Sequence, residues 1–193
     1  MMSTLGLLRD VCHVVRAMWH RLRQTPAMAD VTVRDMTVDD LAWAHALNQA
    51  NVPEVGSETA DAFAHLLDVA VVALIAELDG TPSAMAIAML AGADYHSTNY
   101  AWFCERYAHP LYLDRIAVAA SARRHGLGRV LYAEVERRGR LAAPEVDMFC
   151  LEVNTEPRND VSLAFHHALG FDDLAERDTP KGIRVMMMAR PIT

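Results

Sequence analysis

The sequence has a single lysine, three cysteines and no long apolar run. Cys12, Cys104 and Cys150 are far apart and odd in number, which predicts neither a disulfide framework nor a CxxC metal site. We therefore expect no bound metal and a reducing, cytoplasmic compartment. The longest apolar run covers residues 69–76, which is too short for the roughly 20 residues of a membrane-spanning helix.

Basic charge is also in short supply. Lysine and arginine number 18 against 25 acidic residues, so the net charge is −7. This balance does not favour a general nucleic-acid surface, and we expect no nucleic-acid partner. The 193 residues are 52% hydrophobic, which indicates one packed domain and excludes a disordered chain.

Residues 1–30 differ in composition from the domain predicted over residues 31–193. Apolar residues recur there at three- and four-residue intervals among four arginines and two aspartates, which predicts a basic amphipathic helix. It would lie on an anionic membrane, target the protein, or be a dispensable appendage from a start codon placed too early. We favour the appendage, because Pro26 ends the helix and Met28 leads into the first strand. Detection by mass spectrometry of an N-terminal peptide that begins before Met28 in the native protein would contradict the appendage hypothesis.

The hydrophobic pattern of the domain predicts an α/β protein with a mixed sheet. Strands are expected over residues 31–36, 69–78, 83–91, 111–119, 146–153, 173–177 and 182–189. Helices are expected over residues 37–50, 58–67, 126–139 and 159–169, and residues 92–109 are expected to form a long aromatic loop. Asp79-Gly80 is typical of a hairpin turn. The strand–helix–strand unit after residue 110 implies a parallel pair, so six or seven strands would carry about four helices on two faces.

The segment from Leu113 to Gly128 has the features of an anion-binding turn. An apolar strand leads through small residues to two glycines at the start of a helix, where unpaired N–H groups and the helix dipole favour an anion. Gly126 and Gly128 would let a phosphate approach the backbone, since they lack Cβ atoms. Charge is added by Arg123, Arg124 and Arg129. The residues alone also allow a basic helix start whose glycines serve packing. The turn has neither the Gly-Lys-Ser/Thr of a nucleotide loop nor the three-glycine dinucleotide spacing.

Two motifs in this domain resemble one enzyme family. Arg123-Arg-His-Gly-Leu-Gly128 resembles the Arg/Gln-x-x-Gly-x-Gly/Ala signature of the GCN5-related N-acetyltransferases (GNAT superfamily), and residues 159–171 resemble their Asn-x-x-Ala-x-x-Leu-Tyr-x-x-x-Gly-Phe helix. The similarity covers about residues 31–190 and is greatest to uncharacterised bacterial predicted acetyltransferases. It implies the GNAT fold and direct transfer of an acetyl group from acetyl-CoA to a primary amine of a small molecule or peptide, with a homodimer left open. The lack of a Gly-x-Ser-x-Gly nucleophile motif agrees with direct transfer.

The resemblance also implies a coenzyme site. Backbone N–H groups of residues 116–118 would polarise the acetyl carbonyl, and a bulge there would separate the fourth and fifth strands. The implied coenzyme-binding residues are Ile116, Ala117, Val118, Arg123, Arg124, His125, Gly126, Leu127, Gly128, Arg129, Asn159 and Ser162.

Two side chains are candidates for proton transfer. Asp114 is predicted to be the general base, because the resemblance places it where related enzymes often carry an acidic residue facing the cleft. Its apolar neighbours would also raise its pKa. Its alternatives are an ion pair with an arginine such as Arg115 or Arg106, or a water relayed by Asp114 or Glu152. His166 occupies the position of the family's tyrosine that protonates the thiolate, which an imidazole can replace, although a packing role is the alternative.

The acceptor pocket is expected between residues 51–57 and the loop before the fourth strand. Acidic and aromatic side chains there would suit a cationic amine, and each has a surface or packing role as its alternative. These residues are Glu54, Tyr100, Trp102, Glu105 and Tyr107. A non-catalytic acyl-CoA-binding module of the same fold remains the alternative to an enzyme, and would differ at Asp114 and His166.

Overall fold

The structure is a computed structural model that describes residues 29–192. The predicted helix of the N-terminal extension, in residues 1–28, lies outside this range. The seven strands of the range are β1 Val31–Asp35, β2 Val72–Leu78, β3 Thr81–Leu90, β4 Pro110–Val118, β5 Met148–Glu156, β6 Asp172–Asp178 and β7 Arg184–Pro191. Its α-helices are α1 Leu41–Gln49, α2 Ala60–Val69, α3 Thr98–Cys104, α4 Leu127–Ala142 and α5 Asp160–His167.

The strands form one mixed sheet in the order β1-β2-β3-β4-β5-β7-β6. Strands β4 and β5 are parallel, and the other neighbours are antiparallel. The predicted α/β fold with six or seven strands is thereby confirmed. Asp79 and Gly80 join β2 to β3 with φ angles of 51° and 73°, which suits the tight hairpin predicted there. No helix within residues 29–192 combines the length and apolarity needed to cross a membrane.

Two hydrophobic layers cover the sheet. Helices α4 and α5 contribute residues such as Leu131 and Leu163 to the core on one face. Helices α1, α2 and α3 contribute Leu47, Phe63 and Phe103 to the core on the other face. The anion-binding turn before α4 therefore belongs to one layer, whereas the segments that flank the predicted acceptor pocket belong to the other.

Helix α3 is a correction to the sequence analysis, which predicted a continuous loop over residues 92–109. The Ser97 hydroxyl accepts a hydrogen bond from the Tyr100 backbone N–H at 3.3 Å and caps the helix. Tyr100 and Phe103 then face the core three residues apart. The aromatic content of this segment therefore reflects packing of a short amphipathic helix.

Helix α4 extends to Ala142, beyond its predicted end at Gly139. A Cβ atom on Gly139 would lie 2.6 Å from Cδ2 of Leu111, so this glycine permits close contact between helix and sheet. Its role is packing inside the helix and not helix termination.

Candidate active site

Strands β4 and β5 diverge in the middle of the sheet. Their parallel pairing is confined to Pro110–Tyr112 and Met148–Cys150. Asp114 and Glu152 come two residues after the last pair, one on each strand. Beyond Tyr112 the edge of β4 that faces β5, including Ile116, Ala117 and Val118, lies outside this pairing. The divergence makes a cleft with a carboxylate on each side.

The irregularity in β4 lies at Asp114 and not at residues 116–118, where the sequence analysis expected it. Arg115 pairs with Ile87 of β3 and Leu113 pairs with Ala88, so Asp114 is the extra residue of a bulge. Ala117 and Ile116 keep regular antiparallel pairing with β3. The bulge lets Asp114 and Arg115 both contribute side chains to the site.

The turn from β4 into α4 has the geometry of an anion site. Gly126 is the N-cap of the 16-residue helix α4 and has φ +82°, and a Cβ there would meet no atom within 4 Å. Arg124, with φ +69°, also has a left-handed backbone. The side chains of Arg123, Arg124 and Arg129 are exposed around this turn. Open space, helix N–H groups and three guanidinium groups fit a diphosphate.

Gly128 and His125 each have a local structural role, and the role of Gly128 is the glycine packing that the sequence analysis gave as an alternative. A Cβ on Gly128 would lie 3.3 Å from Cζ of Phe165 on α5, so the absence of a side chain also serves helix packing. Nδ1 of His125 donates to the carbonyl oxygens of Ala122 and Arg123 at 3.2 and 3.1 Å, which closes the turn. Leu127 is buried in the core.

A cavity of about 470 Å³ lies on the opposite face of the sheet from α4 and α5. Its walls come from the α1–α2 loop, the residues before and at the start of α3, and the β6–β7 loop, which supplies Lys181. Asp114, Arg115 and Glu152 line it from the diverging strands. The cavity thus brings together the flanking segments that the sequence analysis assigned to the acceptor, with the β6–β7 loop added.

Of the five predicted acceptor residues, only Glu54 lines this cavity, and Tyr107 packs against the core instead. Tyr100 is buried; its hydroxyl donates to the Leu90 carbonyl at 2.7 Å and accepts from the Ala93 N–H at 2.9 Å. Trp102 packs edge-on against Phe103, with the Arg106 guanidinium 3.8 Å from its ring centre. Glu105 is exposed at the end of α3. The helical turn of α3 directs these three side chains away from the cavity.

Both carboxylate oxygens of Asp114 have partners. The Tyr95 hydroxyl donates to Oδ1 at 2.5 Å, and Nε of Arg115 donates to Oδ2 at 2.6 Å. Arg115 is buried and also donates from Nη1 to Oδ1 of Asn48 at 3.0 Å. The ion pair that the sequence analysis weighed as an alternative for Asp114 is present.

Glu152 faces the same cavity in a different environment. Its Oε1 accepts from Nδ2 of Asn99 at 3.0 Å, and the Tyr112 hydroxyl lies 2.8 Å from Oε2 and 3.0 Å from Oε1. Burial, followed by the nearby charge of Asp114, raises the pKa of Glu152 to about 7. A carboxyl with this pKa exchanges protons near neutral pH. The sequence signal for this residue is a single acid inside the apolar strand Phe149–Val153.

His166 is 4% exposed and its ring is fully engaged. Nδ1 donates to the Ser162 carbonyl at 2.7 Å, which leaves Nε2 to accept a short hydrogen bond from the Tyr132 hydroxyl. Burial lowers the pKa of His166 to about 4, so the ring is neutral at physiological pH. A buried, hydrogen-bonded ring of this kind fits the packing role that the sequence analysis gave as the alternative to a proton donor.

Asn159 lines a second cavity, of about 340 Å³, beside the first. Its Oδ1 accepts from the Ser162 N–H at 3.0 Å and caps α5. Pro53, Glu54 and Asn154 line both cavities, and Nδ2 of Asn154 donates to the Pro53 carbonyl at 2.7 Å. Arg123 donates to Oδ1 of Asn51 at 3.0 Å, so the α1–α2 loop contacts both the anion turn and β5.

The part of the chain that the structure describes contains no candidate metal-binding site. No group of three or more His, Cys, Asp or Glu side chains there is placed to hold a metal ion.

The comparison with known families matches residues 38–171 to the model of the Acetyltransferase (GNAT) family. No curated protein matches the chain in the corresponding sequence search. The family match spans β4, the anion turn and α5, the segments on which the sequence resemblance depends.

Solved structures share the fold at low identity. The ribosomal-protein-S18-alanine N-acetyltransferase from Escherichia coli is 22% identical, with a TM-score of 0.64 over 85% of this chain and 95% of that one. Ard1 from Thermoplasma volcanium is 16% identical, with a TM-score of 0.68 over 84% and 98%. YncA from Salmonella typhimurium, solved with its cofactor acetyl-CoA, is 16% identical, with a TM-score of 0.60 over 84% and 94%.

Proposed function

The chain belongs to the acetyltransferase (GNAT) family, and from this premise we propose that it transfers an acetyl group from acetyl-CoA to a primary amine of a small molecule or peptide. The observation that carries the proposal is the position of Glu152. Its carboxyl, with a pKa near 7, lines a cavity at the point where β4 and β5 diverge. The reaction needs a group there that can remove a proton from an ammonium ion near neutral pH.

In this proposal the coenzyme is held by the turn before α4 and by the cleft. Backbone N–H groups of residues 126–129, together with Arg123, Arg124 and Arg129, would bind the diphosphate. Asn159 would line the path of the pantetheine arm, since it borders the second cavity. The structure of YncA with acetyl-CoA supports the coenzyme assignment through the shared fold.

The protein's own groups account for the proton transfers. Glu152 takes one proton from the ammonium form of the acceptor, and the neutral nitrogen forms its bond to the acetyl carbon. The C–S bond of the thioester breaks as this bond forms. The second proton that the nitrogen must lose passes to the departing thiolate, and Glu152 releases the first proton to solvent. The unpaired edge of β4 at Ile116–Val118 would polarise the carbonyl with backbone N–H groups.

We assign the base to Glu152 and a structural role to Asp114. The Asp114–Arg115 pair is buried, and each oxygen of Asp114 already accepts a strong hydrogen bond. Breaking such a pair by removing one partner leaves an uncompensated buried charge, which destabilises the fold by several kcal/mol. Asp114→Asn is therefore expected to act through the fold and the shape of the cavity.

The acceptor would be an amine that binds next to acidic side chains. Four acidic side chains, Glu54, Glu58, Asp114 and Glu152, line the cavity against one arginine and one lysine, Arg115 and Lys181. This charge balance favours a cationic acceptor. The Escherichia coli structure is a ribosomal-protein-S18-alanine N-acetyltransferase, which supports testing peptides as one class of acceptor. The expected compartment stays the cytoplasm.

The test uses the full chain and measures binding and turnover separately. Calorimetry with acetyl-CoA and coenzyme A measures binding, and thiol release across polyamines, amino acids, aminoglycosides and peptides measures turnover. Glu152→Gln should keep coenzyme binding and lower kcat by about 10²–10⁴-fold. The matched control is Glu156→Gln, which removes an exposed carboxylate from the same strand.

Two results would overturn the proposal in different ways. Absence of heat with either coenzyme form would remove the coenzyme assignment. Binding of acetyl-CoA without thiol release for any amine would favour the non-catalytic acyl-CoA-binding module.

A further inference from the structure

Two side chains from different elements meet at the carboxylate of Glu152. Asn99 extends from the first turn of α3, and Tyr112 extends from β4 at the last residue paired with β5. Oε1 lies 3.0 Å from Nδ2 of Asn99 and 3.0 Å from the hydroxyl oxygen of Tyr112, whereas Oε2 lies 2.8 Å from that hydroxyl oxygen alone. The two carboxylate oxygens are therefore unequal.

Both partners are held in place by packing. Tyr112 is fully buried, and its ring lies 5.6 Å from the Tyr100 ring and 5.8 Å from the Phe103 ring. Asn99 is 8% exposed, in a helix whose start is fixed by the Ser97 cap. Rigid partners of this kind pre-organise a catalytic group before substrate arrives.

We propose that Asn99 and Tyr112 are positioning residues that present Oε2 of Glu152 as the oxygen that accepts the proton. The proposal rests on the proposed function, because it assigns these residues to the general base of that reaction. Neither residue is required to touch the substrate.

The hydrogen-bond inventory supports the choice of oxygen. An amide NH₂ only donates, so Asn99 favours an Oε1 that stays unprotonated. A tyrosine hydroxyl donates one proton and also accepts. With Glu152 ionised, Tyr112 can donate to Oε2; with the proton on Oε2, Tyr112 can accept from it and donate to Oε1. Both protonation states are thus satisfied without movement of either side chain.

Removing either donor should make the ionised carboxylate less favourable. Tyr112→Phe and Asn99→Ala are each expected to raise the pKa of Glu152 by about one unit, the size expected for losing one hydrogen bond to a buried charge. The acidic limb of the pH–rate profile should move to higher pH by the same amount. Activity at high pH should then recover, which loss of the fold would not allow.

The experiment titrates Glu152 directly in the full chain without substrate. Carbon-13 NMR of the labelled glutamate carboxyls, with the Glu152 signal identified by its loss in Glu152→Gln, gives the pKa in each variant. Tyr107→Phe is the matched control, since Tyr107 is a half-buried tyrosine packed against the same core cluster. Should Tyr112→Phe unfold the chain, Asn99→Ala provides the same measurement from the other partner.

An upward shift in the NMR titration of Tyr112→Phe and Asn99→Ala, absent in Tyr107→Phe, would support the proposal. An unchanged Glu152 titration in both variants would overturn it, even if activity fell. A different result would overturn the proposed function: a Glu152→Gln variant that keeps the turnover of the unmodified chain.

Discussion

At the residue scale, His166 and Tyr132 form a buried hydrogen-bonded pair between α5 and α4. Three aromatic rings, those of Tyr132, Phe165 and Phe171, contact the His166 ring edge-on at 5.4 to 5.6 Å. Burial raises the pKa of Tyr132, so its hydroxyl remains a donor at all physiological pH values. The pair therefore has the properties of a packing contact that satisfies two buried polar groups.

His166→Phe should lower the free energy of unfolding by about 1–3 kcal/mol, because it leaves the buried Tyr132 hydroxyl without its acceptor. Urea denaturation measures this loss. Adding Tyr132→Phe should restore part of the stability, since the second polar group is then removed as well. Turnover of the folded single variant should stay within a few-fold, and a hundredfold fall in kcat would instead establish His166 as a general acid.

The backbone geometry of the anion turn follows from local sequence, whereas the environment of Glu152, the base that we propose, does not. The turn is built from backbone N–H groups, glycine geometry and adjacent arginines, which are all local. Glu152 acquires its near-neutral pKa from burial and from the charge of Asp114 on another strand. That environment depends on where β4 and β5 separate, which is a long-range property of the sheet.

At the scale of single elements, the two glycines of the anion turn have separate roles. Gly126→Ala should weaken coenzyme A binding and cost about 1–2 kcal/mol of stability, because φ +82° disfavours a side chain and a methyl group would occupy the open approach. Gly128→Ala should lower stability through contact with Phe165 and change coenzyme binding less. Calorimetry with coenzyme A and urea denaturation measure the two effects, and equal losses of affinity would contradict this separation.

The element boundaries show what periodicity can and cannot predict. The β2–β3 hairpin follows from Asp79-Gly80, since the turn needs two positive φ angles. Periodicity does not predict helix α3, because it has only seven residues and its aromatic side chains also suit a binding loop. Gly139 resembles a helix end until the close contact with Leu111 is known. These errors occur where tertiary packing overrides a local pattern.

At the scale of the whole molecule, two buried groups have opposite effects on stability as pH changes. The pKa of Glu152 rises from an ordinary 4.5 to about 7 in the fold, so the folded state binds more protons between these values and the free energy of unfolding falls as pH rises. The pKa of His166 falls from an ordinary 6.5 to about 4, so the unfolded state binds more protons and the free energy of unfolding rises with pH.

These two effects should nearly cancel between about pH 4.5 and 6.5, where both operate, and each single variant should expose the other. Glu152→Gln should show a free energy of unfolding that rises with pH by up to about 3 kcal/mol across this window. In His166→Phe the free energy of unfolding should instead fall by a similar amount as pH rises. This fall adds to the loss of stability that the substitution causes at neutral pH. Urea denaturation at three pH values in the window measures the slopes, with Glu156→Gln as the control that should keep the shallow dependence of the unmodified chain. Slopes of the same sign in both variants would contradict the opposing environments of Glu152 and His166.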